Sequence, residues 1–268
     1  MKDENKEQAK EFYKQGKYFF KKEQYKKAIK CFNKAIKLNH TNAYYYDMRA
    51  TSKMNLDEYG EAIEDFDKCI ELKPKYIKAY YNRAYSKVSL ELYLEAIEDY
   101  KKCIELNNND SLAYYNIGKM YLYYLENFEE AVKYYDKSIE LSNENSEAYI
   151  ERAKAEYYLK QFDKAEKDLT KAIELEEEIF DINYLYSSRG QVRAEMGNYE
   201  EALKDYDKAI ELNHSSIPIY YFLRGNVKYN LGQYKDALED YNKCLELDDS
   251  YTEAYEKIED IKSKLNIQ

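Results

Sequence analysis

Tryptophan is missing from this chain, and histidine, proline and glycine are nearly so, with His 2, Pro 2 and Gly 7 in 268 residues. So little Gly and Pro leaves scant material for strand turns or hinge linkers, and helix is the expected state throughout. There is no Gly-rich phosphate loop, no HExxH and no nucleophile elbow, and carboxylates are spread over helix faces, so no catalytic residue is assigned and the chain is read as non-enzymatic. The four cysteines, Cys31, Cys69, Cys103 and Cys244, lie far apart without CxxC spacing. They indicate neither a disulfide framework nor a metal site, and no cofactor is expected. No stretch approaches the length of a membrane span, and the N-terminus MKDENKEQAKEFYKQGKYFF carries charges where a signal peptide needs an apolar run. A soluble cytoplasmic protein is therefore expected. Lys+Arg 42 against Asp+Glu 52 gives a net charge of -10, which disfavours nucleic acid as a partner.

What is present is one unit written repeatedly. Residues 77–110, IKAYYNRAYSKVSLELYLEAIEDYKKCIELNNND, hold two helix-period halves that meet at Tyr93. Neither half buries its apolar stripe alone, so the unit is a helical hairpin that needs neighbours. The alanine opening each second half recurs as Ala28, Ala62, Ala96, Ala131, Ala165, Ala202 and Ala237, at intervals of 34, 34, 35, 34, 37 and 35. The repeats are 9–42, 43–76, 77–110, 111–145, 146–179, 183–216 and 218–251, followed by a capping helix at 252–265. Phe180, Asp181 and Ile182 are extra between the fifth and sixth, where a bend or loosening is expected. Pro218 suits a helix start after Ser215 and Ser216. The capping helix shows water a polar face, and the chain is expected to be complete at that end.

In this pattern a large residue, a small residue, alanine, an aromatic and a further small residue fall at repeat positions 4, 8, 20, 24 and 27. Residues 77–110 supply Tyr80, Ala84, Ala96, Tyr100 and Cys103 there. The pattern resembles the tetratricopeptide repeat over nearly the whole chain. The resemblance implies an all-α fold, a right-handed superhelical solenoid of antiparallel helix pairs, expected here as one continuous solenoid over 1–268. Cys69, Cys103 and Cys244 at position 27 read as small hydrophobes, and His40 and His214 fall in inter-repeat turns.

Comparison of the repeats exposes a pairing. Position 7 is Arg49, Arg83, Arg152, Arg189 and Arg224 in five repeats, and position 23 is Asp65, Asp99, Asp168, Asp205 and Asp240 in the same five. The first and fourth repeats lack both members, with Gln15 and Cys31 in one and Ile117 and Tyr134 in the other. An antiparallel hairpin that sets position 8 beside 24 also sets 7 beside 23, so an Arg–Asp ion pair within each of the five hairpins is expected, as a stabilising feature.

The resemblance also implies that first helices line a concave groove through positions 2, 5, 9, 12 and 13. Those positions give a candidate partner-binding surface of Tyr44, Lys78, Tyr81, Tyr85, Tyr115, Lys119, Ile150, Lys154, Tyr157, Tyr158 and Tyr184. Tyrosine offers wide contact at low entropic cost with a hydroxyl at its tip. The chain is rich in tyrosine everywhere, with 34 in all, so the number of rings alone marks no function. Co-chaperones of the family hold a C-terminal carboxylate pair with Lys and Asn at set places. The corresponding residues here are Tyr13, Lys17, Met48, Lys78 and Asn82, of which Lys78 alone matches, so no such clamp is expected. The leading reading is a protein-interaction scaffold that binds a peptide or helix of another protein. Its alternatives are a helical-repeat RNA-binding protein, argued against by the acidic balance, and a self-assembling structural repeat protein.

Overall fold

Helices and the short turns between them account for residues 2–175, 182–212 and 217–265, the part of the chain that this computed structural model describes. Fifteen helices run through these residues, with no strand among them. Two compact units are distinguished, residues 1–125 and 126–268.

The first unit holds α1 Lys2–Lys21, α2 Tyr25–Leu38, α3 Ala43–Met54, α4 Tyr59–Leu72, α5 Ile77–Ser89, α6 Tyr93–Leu106 and α7 Ser111–Tyr123. In the second are α8 Phe128–Leu141, α9 Ser146–Tyr158, α10 Phe162–Leu175, α11 Ile182–Glu195, α12 Tyr199–Leu212, α13 Pro218–Asn230, α14 Tyr234–Leu247 and α15 Thr252–Leu265. Within each unit every helix packs on the next. The seven alanines that set the period are fully buried, as are Cys69, Cys103 and Cys244, because only small side chains let the paired backbones approach so closely. Phe32, Phe66, Tyr206 and Tyr241, at position 24, fill the space inside their hairpins, each such ring contributing about 2–3 kcal/mol by burial. Gly225 faces Tyr241 so closely that a Cβ there would lie 2.9 Å from the ring.

Backbone hydrogen bonds close the hairpin turns. Position 15 lies in the left-handed region at Glu23, Asp57, Glu91, Lys160, Gly197 and Gly232, with φ between 57 and 78°. The next amide donates back five residues, as from Leu92 to the Lys87 carbonyl at 2.9 Å and from Gln233 to that of Lys228 at 2.9 Å. This satisfies the carbonyls at the end of each first helix. Glu126 adopts the same conformation, with φ 48°. Glycine relieves the steric cost of this backbone at Gly197 and Gly232 only; the other five positions bear it.

All five Arg–Asp pairs form. The arginine Nε stands 2.6 to 3.0 Å from the aspartate Oδ2 in every case, and Nη2 reaches the other carboxylate oxygen. Each aspartate is buried. Each guanidinium also covers the tyrosine at position 4 of its own repeat, 5.5 to 5.6 Å from the ring centre, an attractive placement for a cation. Nη1 then reaches the preceding repeat, meeting Asn33, Asp67, Asp136, Thr170 or Asp207. The arginine thus ties ring, hairpin and neighbour together. In the first repeat the Cys31 thiol lies 3.6 Å from Gln15 Oε1, and in the fourth Ile117 is simply buried.

Ile217 is a second, smaller insertion between the sixth and seventh repeats; the helix after it starts at Pro218, in the first turn as expected, and its cap is Ile217 with no side-chain hydrogen bond. Ser215, Ser216 and His214 lie outside the described residues, as do Phe180 and Asp181 of the first insertion; Ile182 opens α11. The last helix buries Ala254, Ile258 and Ile261 against α14 and leaves its other faces to water.

Candidate functional site

The surface read from the sequence falls on first helices of both units. In the first unit Tyr44 on α3 is half exposed, its hydroxyl bonded by Lys73 and its ring edge-on to Tyr76 at 5.6 Å. Lys78 on α5 extends its ammonium to 3.6 Å from Asp47, a buried carboxylate held also by the Tyr76 hydroxyl at 3.1 Å. Burial pushes the Asp47 carboxyl above its ordinary value, while Lys78 and Tyr76 oppose the shift. Tyr81 donates to Asp110 at 2.6 Å, and burial followed by that carboxylate raises its hydroxyl well above the usual range. Tyr85 is exposed and 6.4 Å from Tyr59. Tyr115 on α7 is buried, with the Lys119 ammonium 5.6 Å from its ring. These side chains make pairwise contacts with residues of the first unit.

In the second unit the sequence-read residues do converge. Ile150, Lys154, Tyr157 and Tyr158 from α9 and Tyr184 from α11 line one recess of about 170 Å³. Its floor is apolar: Ala153, Leu169 and Val192. Tyr157 accepts a hydrogen bond from the Gln191 amide at 3.1 Å and packs 5.6 Å from Phe162. Burial, then Glu195, raises its hydroxyl above the ordinary value, so it stays a neutral donor. Tyr158 stacks on Phe128 at 4.7 Å and is 52% exposed, as is Tyr184. Two half-exposed rings at the rim, an apolar floor and one ammonium are the equipment for holding an apolar side chain next to an acidic group.

Ser188 and Gln191 complete the lining and are absent from the sequence-read surface. Gln191 occupies position 9 of the sixth repeat, the position that gives Lys154 in the fifth, so the same rule carried one repeat further finds it. Among the described residues no cluster of three or more His, Cys, Asp or Glu is placed to hold a metal, and no helix is long and apolar enough to cross a membrane.

Two descriptions of the tetratricopeptide repeat match the sequence, one at residues 9–42, 184–216 and 218–251, the other at 43–76, 77–110, 112–145 and 146–179. The chain belongs to the tetratricopeptide repeat family. Among solved structures, the C-terminal part of a tetratricopeptide repeat protein from Cytophaga hutchinsonii is 22% identical, over 92% of this chain and 99% of that one, with a TM-score of 0.77. A tetratricopeptide repeat protein from Parabacteroides merdae is 21% identical, over 94% of this chain and 98% of that one, at TM-score 0.64. These two show the shared fold. YrrB, described as a tetratricopeptide repeat protein with an unusual peptide-binding site, is 25% identical over 69% of this chain and 93% of its own, at TM-score 0.58. No curated protein matches the sequence.

Proposed function

We propose that this repeat protein is a non-enzymatic adaptor whose first helices hold a peptide or helical segment of another protein, with the recess between α9 and α11 as its anchor point. The observation that carries the reading is the convergence of Ile150, Lys154, Tyr157, Tyr158 and Tyr184 on one apolar-floored recess. Repeats of this family are generally protein-interaction modules, and peptide binding by YrrB supports the same use here. Tyr44, Lys78, Tyr81, Tyr85, Tyr115 and Lys119 extend the surface in the first unit. The ligand segment carries an apolar or aromatic anchor for the recess and an acidic group for Lys154. Four free, buried cysteines are in keeping with a reducing compartment such as the cytoplasm.

The test is a pulldown from lysate of the native cell with wild type and a Tyr158→Ala/Tyr184→Ala variant. Both rings are half exposed, so their loss leaves the core intact, and circular dichroism checks that helicity is equal. A protein retained by wild type and lost by the variant supports the reading; an identical set on both contradicts the site.

A further inference from the structure

Comparison of the five Arg–Asp repeats reveals one with its charges inverted. Position 11 is Lys53, Lys87, Arg193 and Lys228 in four of them, and in each a nitrogen of that side chain stands 2.8 to 3.1 Å from the buried aspartate. Two cations thus attend each of those carboxylates. In the fifth repeat position 11 is Glu156. It is 3% exposed, and its Oε2 has no hydrogen-bond partner. Asp168 beside it is buried and, among the described residues, has the Arg152 guanidinium as its one ion-pair partner. Where the sister sites hold two covered cations against one buried carboxylate, this one holds one against two.

The inversion extends to position 19, which is acidic in the sister repeats, at Glu61, Glu95, Glu201 and Asp236, and is Lys164 here. Lys164 does not complete the site: it is exposed and donates to Gln161 at 2.8 Å. A cavity of about 330 Å³ opens on the group, reached between Val132 and Asp136 of α8 and Lys164 and Lys167 of α10. It shares no lining residue with the recess at α9 and α11.

We infer that Glu156 and Asp168 form a binding notch for one primary ammonium or guanidinium group supplied from outside the chain. The choice of ligand follows from the sister repeats, where the same scaffold position is filled by a Lys Nζ or an Arg Nη. A buried carboxylate oxygen without a donor is destabilising, and an N–H cation satisfies both its charge and its lone pairs. Burial first, and Asp168 second, push the Glu156 carboxyl up to about 8, with Arg152 and Lys164 opposing and Asp136 adding a little. A proton therefore competes with the cation. Asp136 of α8, Arg152 of α9 and Lys164, Lys167 and Asp168 of α10 are the charged groups that face it.

The experiment follows the ¹³C shifts of the Glu156 and Asp168 carboxyls, and the thermal midpoint, as n-butylammonium is added to the full chain at alkaline pH. Tetramethylammonium, with the same charge and no N–H, is the control. Spermidine and a blocked Ala-Lys-Ala peptide separate a free amine from a protein side chain as the source. The expected result is a saturable shift with n-butylammonium that weakens on acidification as Glu156 takes up its proton. Binding is lost by at least about tenfold in Glu156→Lys/Lys164→Glu, which rebuilds the sister arrangement and melts higher than wild type. Tighter binding of either spermidine or the peptide names the source and supports the notch. A response equal to that of tetramethylammonium, or an equal response in the double variant, overturns it.

Discussion

Replacing Asp99 with alanine probes the ladder at its most typical rung. The carboxylate is 3% exposed and accepts from Arg83 Nε at 2.9 Å and Lys87 Nζ at 2.8 Å, besides Arg83 Nη2. The Arg83 and Lys87 side chains are 17% and 15% exposed. Burial opposes the charge on Arg83, yet Asp99 and then Asp67 outweigh it and hold the guanidinium above its ordinary value. Alanine leaves the covered Lys87 ammonium without its carboxylate and Arg83 with Asp67 alone. Breaking a buried pair from one side costs about 3–5 kcal/mol, and because both cations keep some contact with water the lower end applies, about 3 kcal/mol. Lys102→Ala is the control. It removes a pair with Glu105 whose side chains are 44% and 63% exposed, worth at most about 1 kcal/mol. Stacked repeats open piecewise, so the assay is amide hydrogen exchange resolved to peptides of residues 77–110. Arg83→Met/Asp99→Leu, which removes the pair together, should cost less than Asp99→Ala added to Arg83→Met. An Asp99→Ala cost no larger than that of Lys102→Ala would refute the reasoning.

Three further outcomes are expected. Glu156 has its folded value at about 8 against an ordinary 4.5, so between those pH values the folded chain keeps a proton that the unfolded chain has released. Its contribution to stability is therefore present below about pH 4.5 and is lost by a few kcal/mol as pH rises toward 8; the wild-type urea curves should show this fall relative to Glu156→Gln, and parallel pH profiles would contradict it. Glu91→Gly should raise the melting temperature, since Glu91 sits exposed at φ 61° and release of left-handed strain, about 1–2 kcal/mol, exceeds the entropic cost of glycine, about 0.5–1 kcal/mol; a lower melting temperature contradicts the turn account. Burial pushes the Cys69 and Cys103 thiols up to about 12 and Cys244 to about 11, so iodoacetamide should label them slowly in the folded chain and quickly in urea; rapid native labelling would contradict the core packing.

Much of the architecture is legible in the chain because stacked repeats contact mainly their neighbours, so each repeat serves as a control for the others. The period of the alanines locates the hairpins within each unit, and the joint presence of Arg and Asp at positions 7 and 23 locates five ion pairs. The left-handed turns are not legible in the same way. Five of the seven positions carry Glu, Asp or Lys, and the conformation is imposed by backbone closure rather than by glycine. Groove spacing likewise treats Tyr115 and Tyr184 alike, whereas packing buries the first and leaves the second half exposed. Whether a ring at a groove position is core or surface depends on its neighbours across the helix, which spacing does not encode. Glu156 was open to the same internal comparison as the arginines, but that it is buried, with an oxygen unpartnered, emerges only from packing.

Site-specific photo-crosslinking tests the adaptor reading most directly. A photoreactive phenylalanine analogue replaces Tyr184 at the rim of the recess in one protein and Lys171 of α10, whose side chain is 44% exposed, in another, and both are irradiated in lysate of the native cell. The account predicts one crosslinked partner at Tyr184, displaced by excess wild-type protein and absent at Lys171. The same partner crosslinked at Lys171 and not at Tyr184 would contradict it.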